Sequence, residues 1–295
     1  MNHLKKEAIT LIDLGKWFFS GFRSRKWAVK NLSATINRGE VVGVLGPNGS
    51  GKSTTIKMLL GFLKPSEGNI DIFGSNPFDS STRALVGYLP ENPRLPGFLT
   101  AEQLLRYFGK LYDLKGPELE SEIDRQLEIV KLSLNRHERV SGFSKGMVQR
   151  LAFAQCLMNR ASLLILDEPM SGLDPVGRIE MRNLLRSIHK NQPDTTLLFT
   201  SHILADVEEL CTSIILLRNG KMMTHDSLHS LFTSKKQTFE ILINKAHSQN
   251  PERLSVTGIP ELHKLLSSFI NENVEVLSIE SHQKRLEETL FGEHV

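Results

Sequence analysis

Short unbroken apolar runs alternate with stretches in which leucine, isoleucine or methionine returns every third or fourth residue. This rhythm, kept through most of the chain, predicts an α/β architecture around a mostly parallel sheet. Residues 40–45 (EVVGVL) read as a strand buried on both faces, and 51–60 (GKSTTIKMLL) as the helix that leaves it. Residues 163–166 (LLIL) and 196–200 read as further buried strands, and 86–89 (VGYL) form another short apolar run. Residues 9–14, 27–36 and 69–73 predict an accessory antiparallel β layer. A helical insert follows the first half of this core. It is expected to be helical from 100 to about 130, where Thr100 and Gln103 make a capping box and Leu104, Leu105, Phe108 and Leu111 recur at helical spacing. Ser144 opens a helix to about 159 with Met147, Leu151, Ala154 and Met158 along one face, and Asp174-Pro175 opens another to about 190. Asn219-Gly220 reads as a hairpin turn between 214–217 and 221–224.

Past about residue 235 the pattern changes. Residues 238–244 and 273–280 alternate like strands, while 260–270 and 284–291 read as helices, so a small βαβα appendage is expected. The expected division is an α/β core at 1–235, its helical insert at about 92–160, and a small α+β module at 236–295.

Composition narrows the class. The 295 residues are 40% hydrophobic and 23% charged, enough apolar material for a core of one or two domains. Lys and Arg total 36 against 33 Asp and Glu, and a net charge of +3 does not by itself argue for nucleic acid. One local mixture stands out at 18–27 (FFSGFRSRKW), where Arg23, Arg25 and Lys26 lie among four aromatics. It reads either as a contact for RNA, lipid headgroups or a nucleotide base, or as a solvated hairpin loop. Cys156 and Cys211 are far apart and lack a CxxC partner, so buried free thiols in a reducing cytosol are expected rather than a disulfide or zinc site. No run approaches the roughly eighteen apolar residues of a membrane span, and the N-terminus lacks a leader pattern. Neither export nor membrane crossing is expected.

The chemistry begins where the first buried strand meets its helix. Gly46, Pro47, Asn48, Gly49, Ser50, Gly51, Lys52, Ser53 and Thr54 (GPNGSGKST) occupy that junction, the context that makes this pattern a phosphate-binding loop. The three glycines let successive N–H groups face phosphate oxygens beside a helix N-terminus. Lys52 is expected to reach the β- and γ-phosphates, Ser53 to ligate magnesium, and Thr54 to add a hydroxyl near the α-phosphate. This set calls for ATP or GTP. LLILDE at 163–168 ends an apolar strand in two acids. Asp167 is placed to hold magnesium, directly or through water, and Glu168 to orient or deprotonate the water that attacks the γ-phosphorus. Alone, such a pair is ordinarily a solvated strand end; the phosphate loop changes its reading.

Between these halves, VSGFSKGMVQR at 140–150 resembles the signature region of the ATP-binding subunit of an ABC transporter, where five residues, usually LSGGQ, precede the carboxylate strand. The matching residues are Phe143, Ser144, Lys145, Gly146 and Met147, a variant similar to exporter-type ATPases. Lys145 and Met147 depart from the usual pattern, whereas Ser144 and Gly146 keep it. A serine at a helix start, with free N–H groups and the positive dipole end, suits an anion. The resemblance implies that Ser144, Lys145 and Gly146 close over the γ-phosphate of a nucleotide bound to a second subunit. DEPMSGLDP carries Ser171, Gly172, Leu173 and Asp174, similar to the family's D-loop, which lies across the dimer interface. His202 matches the switch histidine that contacts the γ-phosphate. VGYLPEN puts Glu91 where the family usually has glutamine, an added charge at a position facing magnesium. The family's adenine-stacking aromatic lies in the first β layer; Phe18 is the nearest match, with Trp17, Phe19 and Phe22 competing. The resemblance spans roughly residues 8–232, and RLEETLF at 285–291 also looks like the tail of exporter ATPases.

The resemblance implies an ATPase subunit using ATP and Mg2+, with Lys52, Glu168 and His202 in the reaction. It implies a homodimer or heterodimer beneath a membrane-spanning permease subunit, peripheral on the cytoplasmic face and working in export. ATPases of this superfamily that act on DNA or ribosomes are the alternative. Their long coiled coils or paired domains are missing here: the 92 residues from Lys52 to Ser144 show no sustained heptads, and one phosphate loop is present. No nucleic-acid partner is therefore expected. A module that signals without turnover would be expected to lack the base, and Glu168 is present. The cargo belongs to the permease and is not written in this chain.

Overall fold

The apolar run at 41–45 becomes an inner strand of the parallel sheet. β3 (Val41–Leu45) is buried at every position and pairs in parallel with β7 (Thr196–Ser201) on one side and β8 (Ser213–Arg218) on the other. With β5 (Val86–Leu89), β6 (Leu163–Leu166) and β9 (Lys221–Ser227) they form a six-stranded sheet ordered β5-β6-β7-β3-β8-β9. A second, antiparallel sheet is ordered β2-β1-β4, from β1 (Glu7–Ser20), β2 (Ser24–Asn37) and β4 (Glu67–Ile72). α1 (Lys52–Leu59) leaves the end of β3 and buries Ile56, Met58 and Leu59 in one apolar cluster with Leu14, Val29 and Ile36 of the antiparallel layer and Val42, Val44 and Ile215 of the parallel sheet. The phosphate loop is thus held between two sheets that share one core.

This computed structural model describes residues 7–20, 24–228, 230, 238–244, 251–271 and 274–282. Phe22 and Arg23, and the helix and tail expected at 284–291, lie outside the described residues. The chain divides into two compact units, Met1–Asp226 and Ser227–Val295.

In the first unit, after the short α2 (Ser80–Arg83), the helix expected over 100–130 is two helices, α3 (Ala101–Leu111) and α4 (Gly116–Ile129). α3 starts on the expected capping box between Thr100 and Gln103. The break has a local cause: Asp113 takes a left-handed φ of 62°, and Pro117 in the first turn of α4 has no N–H with which to continue an earlier helix. α5 (Lys145–Leu157) is capped by Ser144, whose hydroxyl accepts the Met147 N–H at 3.3 Å. It buries Ala152, Phe153, Cys156 and Leu157 besides Leu151 and Ala154, a wider face than the single stripe expected, because α5 packs against both α4 and β5. α6 (Pro175–Asn191) and α7 (Leu204–Leu210) follow. Both cysteines are free; Cys156 is buried, Cys211 half-buried, and burial raises both thiol pKa values.

The Asn219-Gly220 turn joins β8 to β9 with both residues at positive φ, 51° and 75°. Its Gly220 N–H donates to Ser50 O at 3.0 Å, and Lys30 N–H donates to Gly220 O at 2.7 Å. The hairpin tip therefore ties the phosphate loop to β2.

In the second unit, β10 (Thr238–Asn244) is the middle strand of an antiparallel sheet between β11 (Glu252–Thr257) and β12 (Glu275–His282). Phe239, Ile241 and Ile243 pack against Leu262 and Phe269 of α8 (Ile259–Asn271). The order among the described residues is ββαβ, not the expected βαβα start. β11 escapes a pattern reading because only Leu254 and Val256 are strongly apolar in ERLSVT, too few to mark an alternation.

Candidate active site

The phosphate loop owes its shape to neighbours as much as to glycine. Gly51 has φ +110°, and a Cβ there would fall 2.6 Å from Ala28 O; a Cβ at Gly46 would collide with the backbone oxygen of Leu217. Only glycine fits both places. Gly49, at φ +79°, meets nothing within 4 Å and faces open space. Pro47 through Thr54 line a cleft of about 670 Å³, together with Phe18, Phe19, Lys26, Trp27, Glu91, Glu168, Ser171 and His202. Ser50 Oγ lies buried in this loop without a hydrogen-bond partner.

The structure draws residues from distant parts of the chain to one point. Lys52, 6% exposed, donates to Gly46 O at 2.7 Å and Pro47 O at 3.4 Å and lies 3.4 Å from Glu168 Oε1. His202 Nδ1 sits 2.8 Å from the other oxygen, Oε2. Glu168 thus stands between the loop lysine and the histidine. Asp167, 8% exposed, is not among the residues that line the cleft, and its Oδ1 accepts the Thr200 hydroxyl at 2.7 Å. Burial raises the Asp167 pKa, with the charges of Glu168 and Glu91 adding to the rise and the Thr200 bond opposing it. Glu91 lines the cleft and its Oε1 accepts from Ser171 Oγ at 3.4 Å.

Of the candidate aromatics, Phe18 and Phe19 both line the cleft and Trp17 does not. Trp17 is instead covered by the Arg25 guanidinium, 4.2 Å from its ring centroid. Trp27 joins the lining from β2. Ser144, Lys145, Gly146 and Asp174 are not part of this cleft. Ser144 and Lys145 are exposed at the start of α5, Lys145 Nζ fills the space beside Gly172, and Asp174 caps α6 by accepting the Gly177 N–H at 2.9 Å. Asp206, 2% exposed, pairs with Arg178 at 2.5 Å and Arg182 at 3.6 Å, tying α7 after His202 to α6 after Asp174. Thr200 and this ion pair were not singled out from the sequence. Thr200 carries a signal nonetheless, since a hydroxyl inside a fully buried strand needs a partner.

Among the described residues no three or more His, Cys, Asp or Glu side chains form a metal cluster. The donors at hand are all oxygens: Ser53 and Glu91 on the cleft wall, and buried Asp167 next in sequence to the cleft-lining Glu168. That set suits magnesium, which takes one or two carboxylates and completes its shell with phosphate and water oxygens.

A phosphate loop opening a helix from a parallel sheet, with paired acids at the end of a strand one removed from it, defines a P-loop nucleoside triphosphatase. A family model described as ABC transporter matches residues 29–171. YxlF of Bacillus subtilis, an uncharacterized ABC transporter ATP-binding protein, is 36% identical over 279 residues, 88% of this chain and 92% of that one. The Nod factor export ATP-binding protein I of Rhizobium johnstonii is 34% identical over 242 residues, 81% of this chain and 76% of that one. A solved dimeric ATP-binding cassette in a post-hydrolysis state, bound to ADP and Pi, superposes with a TM-score of 0.67 at 25% identity, covering 75% of this chain and 98% of that one. The chain belongs to the ATP-binding subunits of ABC transporters, and it is an ATPase. No helix among its described residues is long and apolar enough to cross a membrane.

Proposed function

We propose that this chain drives an exporter, as a homodimer or heterodimer of ATPase subunits seated on a separate membrane-spanning permease at the cytoplasmic face. The observation that carries the reading is the split of the site. Lys52, Glu168 and His202 converge on one cleft, whereas Ser144, at an exposed capped helix start, is not among the residues that line it. An anion-binding end without its anion in the same chain suits the terminal phosphate of a nucleotide on a second subunit. The FSKGM variant of the signature and the likeness to a Nod factor export protein support the direction of transport.

In this reading Phe18 stacks on adenine, with Phe19 as its rival on the same wall. The loop N–H groups from Gly46 to Thr54 and the Lys52 ammonium hold the phosphates, and Ser53, Asp167 and Glu91 are the residues that would hold Mg2+. Bound there, the ion would neutralise charge on the β- and γ-oxygens. Glu168 accepts a proton from the attacking water, and His202 orients the Glu168 carboxylate and meets the γ-phosphate. Ser144, Lys145 and Gly146 cap the γ-phosphate of the other subunit, with Asp174 at the D-loop of that interface. Closure passes to the permease through the helical insert and residues 92–97.

Two outcomes check this. The Glu168→Gln protein is expected to run as a dimer with ATP and a monomer without it in gel filtration with light scattering; a monomer at saturating ATP refutes the split site. The tagged chain, expressed from its native setting, is expected to bring down a polytopic membrane protein, whereas recovery with ribosomes refutes the transport role. Glu91→Gln removes a charge but keeps an oxygen donor, so nucleotide binding and most hydrolysis are expected to survive. Loss of binding in a nucleotide titration would overturn the place given to Glu91.

A further inference from the structure

We propose that Thr200 is the positioning residue that sets the reactive geometry of the Asp167-Glu168 pair, a role that rests on reading Glu168 as the base. β7 (TLLFTS) is buried along its whole length, and Thr200 is 0% exposed. Its hydroxyl uses both of its capacities on the two acids. It donates to Asp167 Oδ1 at 2.7 Å and accepts the backbone N–H of Glu168 at 2.8 Å. A hydroxyl has one proton, so donating to Asp167 leaves its lone pairs turned to Glu168, and the two bonds reinforce each other.

The backbone shows what this grip achieves. Asp167 still keeps the sheet register, donating its N–H to Leu89 O at 2.8 Å. One residue later Glu168 takes φ 46°, the left-handed region that a residue with a Cβ enters only when its surroundings hold it there. Two bonds brace that turn: the Glu168 N–H to Thr200, and the Ser171 N–H to Glu168 O at 2.9 Å. The turn sends the Glu168 side chain to Lys52 and His202. The end of β7 therefore holds Glu168 at both ends, its amide through Thr200 and its carboxylate through His202. With Oδ1 occupied by Thr200, Oδ2 is the Asp167 oxygen left for a further partner.

The test compares Thr200→Val, which keeps the shape and removes the hydroxyl, with Thr200→Ser, which keeps the hydroxyl. Thr200→Val is expected to lower kcat on the order of 10- to 100-fold, the scale of a misplaced reacting group, with KM and the equilibrium Kd for ATP within about twofold. Thr200→Ser is expected to recover most of the turnover. Residue-resolved hydrogen exchange supplies a readout independent of activity: the Glu168 amide is expected to be protected in the unsubstituted protein and released in Thr200→Val. Parental kcat in Thr200→Val, equal impairment in Thr200→Ser, or a freely exchanging Glu168 amide in the unsubstituted protein overturns the proposal. If Thr200→Val fails to fold, the serine variant and the exchange measurement decide alone. Glu168→Gln separates the two claims. Full activity there removes the base reading itself, whereas an inactive Glu168→Gln beside an active Thr200→Val removes only the role of Thr200.

Discussion

Steady phosphate release is expected to fall by about 10²- to 10⁴-fold in Glu168→Gln, while ATP binding holds or tightens. The amide is nearly isosteric with the carboxylate, so the loop keeps its shape, but it cannot take a proton from water. The side chain is only 11% exposed, with Lys52 Nζ 3.4 Å away and His202 Nδ1 2.8 Å away. A carboxylate there repels the negative charge of a triphosphate, and in a partly dry cleft that repulsion is weakly screened. Removing it favours the nucleotide at the moment that it disables the reaction. A malachite-green assay paired with equilibrium ATP titration reads both effects; release within tenfold of the parent sinks the assignment of the base.

Lys52→Met is expected to act in the opposite sense on binding, with ATP affinity lost and turnover reduced by roughly 10²- to 10³-fold or more, the scale of removing one preorganised donor from a reacting phosphate. Methionine matches the length and apolar stem of lysine and suits a site only 6% exposed, so the fold is expected to survive. What disappears is the ammonium that now rests on Gly46 O, Pro47 O and Glu168. Thermal denaturation with and without ATP distinguishes this from misfolding. The parent is expected to gain stability on adding ATP and the variant to gain little; equal gains in both would mean that Lys52 does not hold the phosphates.

Linear motifs made much of the site legible because the chemistry of phosphate binding is concentrated in short segments. β5 and β6 run over 86–89 and 163–166, the same residues as the apolar runs; β6 is buried at every position, and β5, at the sheet edge, alternates half-buried and buried residues. The 34-residue gap between Glu168 and His202 hides their contact, which arises only when β6 and β7 pair in parallel. Thr200 was hidden for the same reason. The break between α3 and α4 was written in Gly116-Pro117, but helical spacing on either side masked it. Phe18 was one aromatic among several; strand alternation groups Phe19 with Trp17, whose rings meet 5.1 Å apart, so it does not foretell that Phe18 and Phe19 both line the cleft.

The place of β3 between β7 and β8 bears on how the molecule is made. On a translating ribosome, residues 41–54 emerge before their frame, since both strands that flank β3 and the hairpin tip that grips Ser50 are synthesised some 150 to 180 residues later. At ordinary elongation rates that is an interval on the order of ten to thirty seconds, during which the nascent loop has no frame. The clasp on Ser50 is thus the last part of the loop's frame to be made, and a truncated product that ends before residue 220 is left without it.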